Sequence, residues 1–176
     1  IVNMAQDYVG SNNINLFEPI GQFGSRLQGG KDSAQPRYIH TKLNDITKYI
    51  FHEDDMKLLD YNDDDGVLVE PVYYVPIIPM ILVNGCSGIG TGWSTEIPCY
   101  NPNDIISNIK NILQLKSYVP MHPFYRKFKG NIIQNGNTNY RTSGKYELLP
   151  KDCIHITELP LNLWTDKFKE HLETLI

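Results

Sequence analysis

Apolar residues recur at helical spacing in four segments of the chain. Residues 1–9 show this spacing and stop at Gly10, which predicts the end of a helix there. Residues 104–115 and 164–175 place apolar side chains along one helical face, as amphipathic surface helices do. An Asn-Pro-Asn sequence just before residue 104 is a typical start signal and supports the first of these two helices.

The fourth helical pattern contains a candidate for chemistry. Its apolar residues follow at steps of four, three and four, and they are Ile39, Leu43, Ile46 and Ile50. This spacing predicts an amphipathic helix over residues 38–51 that begins just after Pro36, because proline is favoured at a helix start. Tyr38 would then lie in the first turn of that helix.

Other segments have the composition of strands. Residues 67–83 are dense in Val, Ile and Tyr but contain three prolines, so we expect short edge strands there. Residues 128–134, 139–148 and 153–159 alternate as strands do, and glycines and an Asn-Gly pair supply turns between them. These three segments predict a small sheet.

Two glycine-rich segments separate the predicted elements. Residues 21–36 hold four glycines among polar and basic residues, which favours a loop with close backbone approach over a helix. Residues 88–93 indicate a second flexible loop, in which Ile89 lies between glycines.

Neither glycine-rich segment matches a nucleotide-binding motif. Ser25 stands where the first glycine of GxxxxGK[ST] belongs, and Asp32 stands where Ser or Thr would bind magnesium. Trp93 occupies the third glycine position of GxGxxG, and no helical pattern starts there. From residue types alone, tight turns are the simpler interpretation of both segments.

Composition indicates a globular chain. Its 176 residues are 41% hydrophobic and 20% charged, enough for one core or two small ones. The longest apolar stretch, residues 73–83, is interrupted by prolines and is far shorter than the roughly 20 residues of a bilayer span, so we expect no membrane span. The first residues do not form a leader sequence, and we expect the chain to be an excised fragment.

The three cysteines and five histidines lack the spacing of a metal site. No CxxC pair occurs, so we predict neither a zinc cluster nor a disulfide framework, and the simpler assumption is a reducing compartment. We expect the histidines to be solvated or hydrogen-bonded structural residues.

Charge is distributed unevenly along the chain. The net charge is -4, but residues 21–42 and 116–151 are both basic, whereas residues 52–70 are strongly acidic and indicate a solvated loop. The basic stretch 116–151 has two interpretations: it contacts phosphates of a nucleic acid, or it is a solvated face.

Tyr38 follows directly after Arg37, and this pair has a chemical interpretation. A phenol is a poor nucleophile at its ordinary pKa near 10, so it needs a neighbouring cation or base to attack a substrate. A guanidinium can bind a phosphate bidentately and stabilise the charge that develops on it. The structural alternative is a tyrosine that simply packs at a helix start.

A series of short motifs extends along the chain. They are GSNNINL at residues 10–16, PIGQFGSR at 19–26, GGKD at 29–32, PRYI at 36–39, PIIPM at 76–80, NG at 84–85, GIGTGWS at 88–94, FKG at 128–130, ELP at 158–160 and WT at 164–165. Together, in this order, they resemble eukaryotic type IIA DNA topoisomerases over essentially the whole chain. The PRYI motif is closer to the eukaryotic than to the bacterial form.

The resemblance implies a fold and a set of catalytic residues. It implies an α+β fold with a winged-helix DNA-cleavage domain at residues 1–98, followed by the start of an α/β tower domain at residues 99–176. Tyr38 matches the tyrosine that attacks a backbone phosphate to form a 5′-phosphotyrosyl link, and Arg37 matches its neighbouring transition-state arginine. Ile89 matches the isoleucine that wedges between base pairs and bends the duplex.

Further DNA contacts follow from the same resemblance. Gln22, Arg26 and Lys31 lie in the glycine-rich loop before the tyrosine, and we expect them to contact phosphates or a groove. Lys127 and Lys129 are additional candidates. The chain departs from the family at residues 86–87, where Cys-Ser replaces the expected Ala-Glu pair.

The family reaction is ATP-dependent passage of one duplex through a transient double-strand break in another. The resemblance implies a homodimer that acts on double-stranded DNA in the nucleus, with Mg²⁺ and ATP both bound outside these residues. We therefore assign no metal ligand here and expect the isolated chain not to cleave DNA, and to bind it weakly and in a salt-sensitive manner. The alternative function is a non-catalytic winged-helix module that binds DNA.

Overall fold

The computed structural model describes residues 1–175 and confirms an α+β fold made of short elements. The helices are α1 (Val2–Ala5), α2 (Thr47–Ile50), α3 (Met80–Asn84), α4 (Pro102–Leu113) and α5 (Thr165–Glu173), with 3₁₀ turns at Pro36–Tyr38 and Glu53–Leu58. The strands are β1 (Tyr61–Asp64), β2 (Val67–Pro71), β3 (Cys86–Gly90), β4 (Trp93–Ile97), β5 (Asn131–Asn135), β6 (Asn139–Ser143), β7 (Lys145–Leu149) and β8 (Cys153–Glu158). No helix among these residues is long and apolar enough to cross a membrane.

The described strands pair antiparallel in four consecutive hairpins. The pairs β1–β2, β3–β4, β5–β6 and β7–β8 form four separate two-stranded sheets. The small sheet predicted over residues 128–159 is therefore two hairpins, because each strand finds its partner locally. An isolated hairpin cannot bury both of its faces, and most residues of these strands are exposed.

The core lies where α3 and α4 pack together. Ile78, Val83 and Ile105 are buried there, and partly buried side chains such as Ile14 and Met121 surround them. The predicted helix at residues 104–115 is confirmed as α4. Its start is capped by Asn101, whose side chain accepts the N–H of Asn103 at 2.9 Å. This core includes residues from both sides of position 98, and the proposed domain division stays a prediction.

The amphipathic helix predicted for residues 38–51 is wrong over most of its length. Tyr38 ends a 3₁₀ turn, and only Thr47–Ile50 is α-helical. Between them the backbone pairs with the segment before the glycine-rich loop, with Ile20 opposite His40 and Phe17 opposite Leu43. Long-range backbone pairing thus satisfies groups that a helix would have used.

Three other segments also differ from their predictions. The acidic residues 52–70 contain a 3₁₀ turn and the β1–β2 hairpin, whose Asp65-Gly66 turn has positive φ at both positions, a common hairpin turn. Residues 80–84 are helical instead of extended. The predicted flexible loop at residues 88–93 is the end of the β3–β4 hairpin, closed at Thr91-Gly92.

The terminal predictions are confirmed in part. At the start of the chain only Val2–Ala5 is helical, a shorter element than residues 1–9 indicated. At the other end α5 covers Thr165–Glu173 and confirms the amphipathic helix predicted there.

Candidate functional site

Tyr38 lies at the end of the 3₁₀ turn Pro36–Tyr38 and points into solvent. Its backbone N–H donates to the carbonyl of Gln35 at 2.9 Å, while its side chain is 68% exposed. The guanidinium carbon of Arg37 lies 4.9 Å from the centroid of the Tyr38 ring, a cation–π distance. The turn therefore presents a phenol and a cation side by side at the surface.

Backbone contacts attach this turn to the glycine-rich loop. The N–H of Ala34 donates to the carbonyl of Gln22 at 2.9 Å. Gly21 has a φ of +113° and lies under Ile39, so that a Cβ there would lie 3.0 Å from the Ile39 Cγ2. These contacts lie before and after the Pro36–Tyr38 turn and hold the backbone on either side of it against residues 21–22.

Asp32 closes the glycine-rich loop. Its carboxylate accepts the backbone N–H of Ser25 at 2.8 Å, the Ser25 hydroxyl and the Gln22 amide at 3.4 Å. Burial raises the pKa of Asp32, but the hydrogen bonds from Ser25 outweigh it and lower the pKa below the ordinary carboxyl value. The loop is therefore fastened by an ionised side chain, which also orients Gln22.

Lys31 is exposed and lies in an open cleft of about 550 Å³. The cleft is lined by Gly29 and Gly30 from the loop and by Gly85 and Ser87 from the base of the β3–β4 hairpin. Within residues 1–175 Lys31 forms no ion pair, so its charge is available to an anion. The cleft places Lys31 near the hairpin that carries Ile89.

Ile89 lies near the end of the β3–β4 hairpin, where its side chain is 93% exposed. It pairs with Ser94, and the neighbouring Trp93 is 86% exposed. Nothing lies within 4 Å of a Cβ built on Gly88, so the space beside Ile89 is open. The unexpected Cys-Ser pair at residues 86–87 keeps regular strand pairing, and the hairpin projects an apolar side chain into solvent.

Arg26 makes its contacts within the chain. One guanidinium nitrogen donates to the Glu158 carboxylate, and the other donates to the carbonyl of Leu159 at 2.7 Å. These contacts give Arg26 a structural role, and its predicted contact with DNA stays a prediction.

The side chains of Lys127 and Lys129 are exposed, although the Lys129 backbone N–H is bonded to Glu158 at 3.0 Å. Both interpretations of the basic stretch 116–151 stay predictions.

The described part of the chain contains no cluster of three or more His, Cys, Asp or Glu side chains arranged for a metal ion. His52 and His155 lie 3.6 Å and 3.9 Å from the carboxylates of Asp54 and Glu147 on exposed surfaces. Burial raises the pKa of Cys99 to about 11, so this thiol is protonated at neutral pH and is not a nucleophile.

Sequence reasoning missed two residues that hold the site. Glu158 is 6% exposed, and Trp164 packs against Gly29 of the glycine-rich loop. Both occur in the ELP and WT motifs, but their spacing along the chain gives no sign that they contact residues more than 100 positions earlier.

Comparison with known proteins identifies relatives along the whole chain. The family model for the A subunit of DNA gyrase/topoisomerase IV matches residues 1–176. The chain is 56% identical over 172 residues to DNA topoisomerase 2 of Bombyx mori and 54% identical over 179 residues to that of Arabidopsis thaliana. These alignments cover 98% and 99% of this chain but only 11% and 12% of the relatives.

A solved structure of a topoisomerase II domain is also similar to this chain. The DNA-binding, cleavage and re-ligation domain of Plasmodium falciparum topoisomerase II matches with a TM-score of 0.92 and 53% identity, over 99% of this chain and 24% of that one. The chain spans about an eighth of the length of the curated relatives it matches. The resemblance seen in the motifs is confirmed: this chain belongs to the DNA gyrase/topoisomerase IV family of topoisomerases.

Proposed function

We propose that the chain is part of an ATP-dependent type II DNA topoisomerase that cuts DNA through Tyr38. The complete enzyme makes a transient double-strand break, passes a second duplex through it and reseals the break. The observation that carries the proposal is the exposed Tyr38 phenol beside the Arg37 guanidinium, in a chain of this family.

The proposed reaction is a transesterification at a backbone phosphate. The Tyr38 oxygen attacks phosphorus, the new O–P bond forms and the bond from phosphorus to the 3′-oxygen breaks. One O–P bond replaces another, so the number of phosphodiester bonds does not change. The phenol loses its proton and the 3′-oxygen gains one. Arg37 binds the phosphate and stabilises the charge on its oxygens in the transition state. Resealing is the reverse attack by the 3′-hydroxyl.

The remaining proposed contacts bend and hold the duplex. Ile89 unstacks a base step and kinks the DNA, at a cost of a few kcal/mol that is offset by the larger contact surface. Gln22 and Lys31 bind phosphates or a groove beside Tyr38. The alignment of Gln22 by Asp32 and the open position of Lys31 support these roles.

The remaining parts of the reaction, a second subunit and the sites for Mg²⁺ and ATP, belong to the complete enzyme. We propose that it is a nuclear homodimer and that Mg²⁺ and ATP bind to other parts of it. Residues 1–176 alone would bind DNA weakly and would not cleave it, since Tyr38 needs the metal site of the second subunit.

Trapping of a covalent protein–DNA adduct tests the proposal. The complete parent protein and its Tyr38→Phe variant are incubated with DNA and Mg²⁺ and quenched with denaturant. We expect adduct with tyrosine only. Equal adduct in both proteins would show that Tyr38 is not the nucleophile. DNA binding without adduct in either protein would support the non-catalytic DNA-binding module instead.

A further inference from the structure

The glycine-rich loop is held by residues from the far end of the chain. Glu158, the last residue of β8, has a side chain that is 4% exposed. Its carboxylate accepts from the Arg26 guanidinium, from the Lys129 backbone N–H at 3.0 Å and from the Leu159 backbone N–H at 3.1 Å. Arg26 also donates to the Leu159 carbonyl, so the loop is joined to the end of β8 by two charge-assisted hydrogen bonds, both from Arg26.

The start of α5 makes a second attachment to the same loop. The N–H of Asp166 donates to the carbonyl of Leu27 at 3.1 Å. Gly29 has a φ of +63°, and a Cβ built on it would clash with the Trp164 ring. The Trp164 ring also meets Tyr8 edge to face, with centroids 6.0 Å apart.

These contacts determine the position of the glycine-rich loop. A loop rich in glycine loses much conformational freedom when it is ordered, so its position depends on tertiary contacts. A buried carboxylate is tolerated only when it is fully paired, and removal of one partner leaves the other charge uncompensated. Loss of the Arg26–Glu158 pair would therefore be expected to shift the loop.

We propose that Glu158 and Arg26 are positioning residues for DNA cleavage. The pair fixes the loop that carries Gln22 and Lys31, and the loop in turn fixes the backbone that leads to Tyr38. The inference rests on the proposed function, because it assigns these residues a role in the same reaction. Neither residue touches the reacting atoms.

The test measures the rate constant for approach to the cleavage equilibrium in the complete parent protein, with saturating DNA and Mg²⁺. This rate constant does not depend on the fraction of protein that is active, so a purely structural loss would not change it. We expect Glu158→Gln to lower it roughly tenfold, since small misplacements of reacting groups are costly. Arg26→Lys keeps the positive charge but loses the forked guanidinium donor. We expect it to lower the rate constant less than Glu158→Gln does.

Two further variants complete the design. Glu170→Gln removes a carboxylate from an exposed pair with Lys167, and we expect the wild-type rate. The double variant Arg26→Lys with Glu158→Gln should be no slower than Glu158→Gln alone, because both changes act on one interaction. If Glu158→Gln fails to fold, the Arg26→Lys rate constant tests the positioning role by itself.

Three outcomes would overturn the inference: wild-type rate constants in Glu158→Gln and Arg26→Lys, losses that multiply in the double variant, or an equal loss in Glu170→Gln. The wild-type and Tyr38→Phe proteins in the same assay separate these outcomes from failure of the proposed function. That function fails when the wild-type adduct does not depend on Tyr38. The inference alone fails when the adduct depends on Tyr38 and the rate constants are unchanged.

Discussion

At the residue scale, buried polar side chains hold the irregular segments in place. The Asn13 amide donates to the carbonyls of Tyr100 and Phe124 at 3.1 Å and 2.9 Å, and its oxygen accepts the N–H of Arg126 at 2.8 Å. Such an amide satisfies backbone groups that no helix or sheet pairs. The GSNNINL motif, which supported the family resemblance, therefore has a structural role here.

Asp32 gives a residue-scale prediction about pH. Its pKa is lower in the folded chain than the ordinary value of 3.8, so its stabilising effect is complete above that value and is lost as pH falls through the folded pKa. Asp32→Asn should lower the free energy of unfolding at neutral pH by about 1 kcal/mol. It should also weaken the decrease of stability with falling pH. Thermal unfolding midpoints measured from neutral to acidic pH would show this.

Asp65→Asn is the matched control for Asp32→Asn. Asp65 lies in an exposed turn with a φ of 52°, a conformation that asparagine also adopts readily. We expect its pH profile to follow the wild type. Identical profiles for the two variants would contradict a specific role for the Asp32 carboxylate.

At the element scale, the β3–β4 hairpin differs from the flexible loop that its residue pattern indicated. Alternating glycines at residues 88, 90 and 92 indicated a flexible loop, yet five residue pairs from Cys86 opposite Ile97 to Gly90 opposite Trp93 form a regular ladder. The backbone hydrogen bonds of a hairpin do not require side chains, so the glycines are compatible with strands. The ladder gives Ile89 a defined direction that a flexible loop would not.

Ile89→Ala should reduce DNA bending without loss of protein stability. The side chain is almost fully exposed, so its removal should change the free energy of unfolding by less than about 0.5 kcal/mol. In the complete parent protein, energy transfer between dyes at the two ends of a bound duplex should report a smaller bend.

Ile133→Ala provides the control for the hairpin prediction. Ile133 is 55% exposed on β5, in a different hairpin. Bending should match the wild type in this variant. An equal loss of bending in Ile133→Ala would assign the effect to general surface change instead of a wedge at Ile89.

At the scale of the whole molecule, the two halves of the chain share one core. Ile78 and Val83 precede position 98 and Ile105 follows it, yet all three are buried together. The loop contacts of Glu158 and Trp164 join the same two halves at a second place. We therefore expect residues 1–175 to respond as one unit to damage in the core.

Ile105→Ala should destabilise both halves of the chain. Ile105 is 2% exposed, and deletion of such a buried side chain costs about 2–5 kcal/mol. Hydrogen exchange should speed up in α4 and also in α3, which lies in the first half. Ile112→Ala, at a 58% exposed position on the same helix, should leave exchange near wild type. Faster exchange confined to α4 would contradict a shared core.

The sequence by itself determined the elements whose signals are local. Apolar periodicity and the Asn101 cap gave α4, and the order of short motifs identified the family and placed Tyr38, Arg37 and Ile89 as candidates. Local patterns act through neighbouring residues, and α4 needs no partner to define its face.

Only the tertiary structure decided where distant segments meet. Residues 39–43 have helical spacing, but the backbone at His40 pairs with Ile20, because hydrogen bonds to a distant segment replace those of a helix. Arg26 pairs with Glu158, 132 positions away, a contact that the sequence did not indicate. Charge and spacing show that Arg26 needs an anion; they do not show which anion the fold brings within reach.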